Sequence, residues 1–99
     1  MNILIVEDDA VSVEVLRQLL ISVAVGNNIE VANSLRQAKL KLEAENFDLV
    51  FLDIHLEDGK TTEIVDDIYS ETEIVFITSD PRYAINAFEY NAIDYILKP

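Results

Sequence analysis

Three short runs, Ile3-Leu4-Ile5-Val6, Leu49-Val50-Phe51-Leu52 and Ile74-Val75-Phe76-Ile77, are apolar at every position. Side chains along a strand alternate between the two faces of a sheet. A run with no polar face therefore predicts a strand covered on both sides, which is the condition of the inner strands of a parallel sheet packed between helices. Each run also stops abruptly on polar residues: Glu7-Asp8-Asp9, Asp53 and Thr78-Ser79-Asp80. A carboxylate at the end of a buried strand is costly unless something partners it, and in open α/β sheets the C-terminal strand ends are where sites are built.

The segments between the runs read as helices. Val11, Val15, Leu16, Leu19, Leu20 and Val23 fall at helical spacing, with Glu14, Arg17 and Gln18 on the wet side. Gly26-Asn27-Asn28 predicts a turn, and Ile29-Glu30-Val31 a weak strand at or near a sheet edge. Asn33 or Ser34 caps a second helix with Leu35, Ala38 and Leu42 inward. The strand from Asp48 to Asp53 follows, then a third helix capped by Thr61 or Thr62 with Ile64, Val65 and Ile68 inward. Asp80-Pro81 opens a fourth helix reaching about Tyr90, with Ala84, Ile85 and Phe88 inward. Asp94 to Leu97 is the fifth strand, and Lys98-Pro99 closes the sequence. Strands joined by single helices predict one α/β domain over residues 1–99. Its architecture is a doubly wound, five-stranded parallel sheet in the flavodoxin-like order 2-1-3-4-5.

Composition narrows the function. Nineteen acidic against seven basic residues give a formal charge of −12, which disfavours nucleic acid or an anionic membrane as direct partners. There is no cysteine, so disulfide scaffolds and thiolate metal sites are excluded, and a reducing, cytoplasmic setting is expected. The first residues lack the basic segment of a signal peptide, and no apolar run approaches the roughly 18 residues of a membrane span.

In the predicted order the first and third strands are neighbours at the topological switch point, so Glu7 and Asp8 face Asp53. Thr78 and Lys98, at the ends of the fourth and fifth strands, complete the rim. Three carboxylates about 4–6 Å apart repel by several kcal/mol. A hard divalent ion such as Mg²⁺ would neutralise them while sharing its coordination sphere with a phosphoryl group. Lys98 offers a point charge for a phosphoryl oxygen and Thr78 a hydroxyl donor. A carboxylate so placed can act as a nucleophile and become an aspartyl phosphate.

The blocks Ile-Leu-Ile-Val-Glu-Asp-Asp, Val-Phe-Leu-Asp-Ile-His-Leu, Val-Phe-Ile-Thr-Ser and Asp-Tyr-Ile-Leu-Lys-Pro resemble the signature blocks of response-regulator receiver domains, across all 99 residues. The resemblance implies Asp53 as phosphoacceptor, taking its phosphoryl group from a histidine kinase or phosphotransfer protein. It also implies Asp8 and Glu7 as the metal pair, Glu7 through water, and the His55 main-chain carbonyl as a further Mg²⁺ ligand. Thr78 is implied as the switch hydroxyl, Lys98 as the phosphate-binding lysine and Tyr95 as the aromatic that changes rotamer. A cis Lys98-Pro99 bond is implied as well. The stretch from Arg82 to Tyr95 resembles receivers that precede LytTR-type DNA-binding domains, so the output implied is control of transcription. Such a domain is a regulatory phosphoacceptor rather than an enzyme. Two other readings stand beside it: a Mg²⁺-dependent phosphatase with an aspartyl intermediate, and an interaction module that takes no phosphate.

Several residues depart from the pattern or admit simpler roles. Glu57 stands where many receivers have proline, which predicts a looser loop. His55, the sole histidine, is expected exposed at the site mouth. Asp9 and Asp80 are expected as helix caps. Ser79 is small where bulk would block phosphate, or simply where packing is tight. Tyr83, Ala87 and Tyr90 form a stripe that is either core margin or a partner surface. The family's last helix is absent. If its stripe buries about 400 Å², its loss costs about 10 kcal/mol, so the 99-residue chain is expected to be a truncated piece, a helix-sharing homodimer or half of an assembly rather than an ordinary stable monomer.

Overall fold

The computed structural model describes residues 1–23, 27–79, 92 and 94–98. Its strands are β1 (Asn2–Val6), β2 (Asn28–Ala32), β3 (Leu49–Asp53), β4 (His55–Leu56), β5 (Gly59–Lys60), β6 (Glu73–Thr78) and β7 (Asp94–Leu97). The three apolar runs lie in β1, β3 and β6, the inner strands of one parallel sheet ordered β2-β1-β3-β6-β7. This is the expected 2-1-3-4-5 order, with the small antiparallel hairpin β4–β5 adding two strands to the count.

Period-2 alternation explains why the runs have no wet side. Leu4, Val6, Val50, Leu52, Ile74 and Phe76 point to one face, where they meet Leu35, Ala38, Ile64, Val65 and Ile68. Ile3, Ile5, Phe51, Val75 and Ile77 point to the other, against Val13, Leu16 and Leu20. The edge strands are wetter, as Ile29-Glu30-Val31 predicts for β2.

Helix α1 (Ala10–Val23) starts on Asp9, whose carboxylate accepts from the Val11 and Ser12 amides and the Ser12 hydroxyl. Its apolar residues divide into two stripes. Val13, Leu16 and Leu20 pack on the sheet, while Val11, Val15 and Leu19 are 71%, 57% and 58% exposed. Helical spacing alone could not tell them apart, and the expectation of a single inward stripe is corrected here. The exposed stripe forms one wall of a groove of about 280 Å³ whose other apolar wall is Ile77, Ile96 and Leu97.

Helix α2 (Leu35–Ala44) is capped by Ser34, whose hydroxyl accepts from the Gln37 amide, and this decides between the two expected caps. The third helix is a 3₁₀ helix over Thr61–Asp67, preceded by Lys60 with no side-chain cap. Neither Thr61 nor Thr62 caps it, because the buried Thr61 hydroxyl donates instead to the Asp53 carbonyl at 2.8 Å. The expected fourth helix, the Asp80 cap, the Tyr83–Tyr90 stripe and the Lys98-Pro99 bond lie outside the described residues. No helix among the described residues is long and apolar enough to cross a membrane.

Candidate functional site

Parallel strands end on the same side, so their C-terminal residues gather along one sheet edge. Leu52 pairs with Val6, which sets Asp53 beside Glu7, and Leu97 pairs with Thr78, which brings Lys98 to the same rim. The Lys98 amide donates to the Thr78 carbonyl at 2.7 Å, pinning the end of β7. The Glu7 amide donates to the Ala32 carbonyl at 3.0 Å, so both shoulders of the site are held by backbone.

The side chains converge. Lys98 Nζ donates to Glu7 Oε1 and, at 3.2 Å, to Asp53 Oδ2. Glu7, Asp8 and Asp53 each bring a carboxylate oxygen within 4.8 Å of the others. Glu7 and Asp53 are buried while Asp8 is exposed, so the cluster opens to solvent through Asp8.

Burial pushes the Asp53 carboxyl up to about 7, reinforced by Glu7 and opposed by Lys98. Burial also acts to raise Glu7, but hydrogen bonds with Asp53 and Lys98 and the lysine charge outweigh it and hold Glu7 below the usual range. Lys98 is lowered by burial yet ends above its usual value because two carboxylates face it. One ammonium between two buried carboxylates leaves a surplus of negative charge, so Asp53 keeps a proton or takes a cation. Three hard oxygen donors of this kind suit Mg²⁺ or Ca²⁺.

The structure thus brings together four of the expected residues: Glu7, Asp8, Asp53 and Lys98. Thr78 is buried at the end of β6, one residue beyond the register partner of Asp53, and Ser79 follows it, exposed. His55 is exposed on β4, paired with Lys60. Tyr95 is half-buried on β7, opposite Phe76 and packed against the core.

Glu57 holds a bond in the loop where many receivers have proline. Its amide donates to Asp8 Oδ2 at 3.2 Å, a bond proline could not make. Three participants escape a reading of the sequence: the Thr61 hydroxyl under Asp53, the Glu57 amide on Asp8, and Asp58, which reaches the start of α2. The one local signal was Asp58-Gly59, a turn dipeptide.

The family model described as response regulator receiver domain matches residues 3–99. The sensory transduction protein LytR of Staphylococcus haemolyticus is 38% identical over 102 residues, covering all of this chain and 40% of the relative. Among solved structures, the response regulator TrrA of Thermotoga maritima in complex with Mg²⁺-BeF superposes with a TM-score of 0.84 at 27% identity, over 99% of this chain and 86% of that one. A response regulator of Burkholderia pseudomallei with a phosphorylated aspartic acid, calcium ion and citrate gives 0.83 at 25%, over 99% and 59%. The chain spans about 40% of the length of the curated relative it matches.

Proposed function

The chain belongs to the response regulator receiver domain family, and from that premise we propose that Asp53 accepts a phosphoryl group from a histidine kinase or phosphotransfer protein. The observation that carries this reading is the Asp53 carboxylate, held at a strand end 3.2 Å from Lys98 Nζ and within 4.8 Å of two further carboxylates. Asp53 attacks the phosphorus of a phosphohistidine, a P–O bond forms as the P–N bond breaks, and the imidazole leaves. Lys98 lies where it can turn from a carboxylate to a phosphoryl oxygen, and Thr78 stands at the same rim to donate its hydroxyl to another.

Glu7, Asp8 and Asp53, with the His55 carbonyl as a further donor, would hold Mg²⁺. That ion would supply the charge that ionises Asp53 and neutralises the incoming phosphoryl group. Of this chain's own residues, Asp8 is the exposed carboxylate that would receive the ion, and Glu7 is the buried one that keeps Lys98 in place. Formation of the aspartyl phosphate draws Thr78 toward the new oxygens, and Tyr95 repacks on β7.

Transcriptional output through a LytTR-type DNA-binding domain in the full-length regulator, a cytoplasmic setting, and no catalysis beyond the domain's own phosphorylation and dephosphorylation complete the proposal. With Mg²⁺ and acetyl phosphate, intact-mass spectrometry should find one phosphoryl group on the wild-type chain and none on Asp53→Asn or after chelation. Equal labelling of wild type and Asp53→Asn would remove Asp53 from the role.

A further inference from the structure

The β4–β5 hairpin begins two residues after Asp53, and its turn is fastened on two sides. On the side of the carboxylate cluster, the Glu57 amide donates to Asp8 Oδ2 at 3.2 Å. On the other side, Asp58 Oδ1 accepts from the Leu35 amide at 2.8 Å and Oδ2 from the Arg36 amide at 3.0 Å. These are two of the orphan donors at the start of α2, where the helix dipole favours an anion. The two donated amides hold the Asp58 carboxyl below its usual range, as expected for an anion bound by a helix end. Packing supports the same link. Gly59 has φ of +147°, and a Cβ there would lie 2.8 Å from Leu35 Cδ2.

Two adjacent residues of one turn thus hold different structures, Glu57 the exposed carboxylate Asp8 and Asp58 the first turn of α2. We propose that Asp58 is a positioning residue for the cation site, tying the hairpin to α2 and so fixing the Glu57 amide against Asp8. The proposal rests on the reading of Glu7, Asp8 and Asp53 as a Mg²⁺ site. Ser34 provides the natural control. It caps the same helix end through the Gln37 amide at 3.1 Å and belongs to another loop.

The test is a Mg²⁺ titration of the ¹⁵N-labelled full chain, following backbone amides in wild type, Asp58→Ala, Asp58→Asn and Ser34→Ala, with thermal melts in the absence of metal. Asp58→Ala is expected to weaken Mg²⁺ binding about tenfold, as loss of a group supporting a metal ligand does. Asp58→Asn, which keeps one acceptor oxygen, should fall between it and wild type. Ser34→Ala should lower the melting temperature and leave the Mg²⁺ Kd unchanged. In wild type, Mg²⁺ should also shift the Leu35 and Arg36 amides, and that response should vanish in Asp58→Ala.

An unchanged Kd in Asp58→Ala, or equal weakening in Ser34→Ala, overturns the proposal and leaves the Mg²⁺ site standing. Failure of the wild-type chain to bind Mg²⁺ overturns the site reading itself, and the proposal with it. If Asp58→Ala does not fold, Asp58→Asn decides by the same criterion.

Discussion

Asp53 carries a conflict that a cation would resolve. In the metal-free chain its carboxyl is pushed from 3.8 to about 7, first by burial and then by Glu7. Between those values the unfolded chain has released a proton that the folded chain retains. Stability from this group is therefore full below the unfolded value, falls as pH rises toward about 7, and is level above it. Asp53→Asn removes the ionisation, so the metal-free variant should melt higher than wild type at pH 8 and near it at pH 4. Glu7, held below its usual value, works in the opposite sense, its contribution fading as pH falls below about 4.5. Calorimetry at the two pH values checks this, and a variant no more stable than wild type at pH 8 would contradict it. Added Mg²⁺ should narrow the difference by stabilising the wild-type chain.

Among the elements, the hairpin and the 3₁₀ helix after β3 show most clearly what a sequence hides. Inner strands announce themselves because burial on two faces leaves an unbroken apolar run. The hairpin strands have two residues each and bury only Leu56, so no period marks them. Thr61 looked like a helix cap because its position and chemistry suit one; only the tertiary fold shows the Asp53 carbonyl beneath its hydroxyl. The bonds from Asp58 to α2 span 22 and 23 residues, beyond any local pattern. The core site was legible, by contrast, because parallel topology converts strand ends into neighbours. Thr61→Val keeps the shape and removes the donor. It should cost about 1–3 kcal/mol, read as a lower urea midpoint with an unchanged slope. An unchanged midpoint would mean the hydroxyl is dispensable.

At the scale of the whole molecule, the two faces of the sheet differ in cover. One is closed by α2 and the 3₁₀ helix, while on the other α1 turns Val11, Val15 and Leu19 to solvent beside Ile96 and Leu97. An exposed apolar strip of this kind drives association unless something covers it. The 99-residue chain should therefore self-associate with rising concentration in sedimentation velocity, and the Val15→Glu, Leu19→Glu double variant should do so less. Identical profiles would show that the groove takes no part. Another property of the whole fold is the distance its site spans along the chain. Glu7 and Lys98 are 91 residues apart, yet they meet directly. Translation proceeds from the N-terminus, so the acidic cluster leaves the ribosome first and its counter-charge leaves after β7. A nascent chain has all three carboxylates well before it has the ammonium between them. On the phosphoacceptor reading, a nascent chain cannot draw phosphoryl groups from its donor until Lys98 has emerged and reached Glu7 and Asp53.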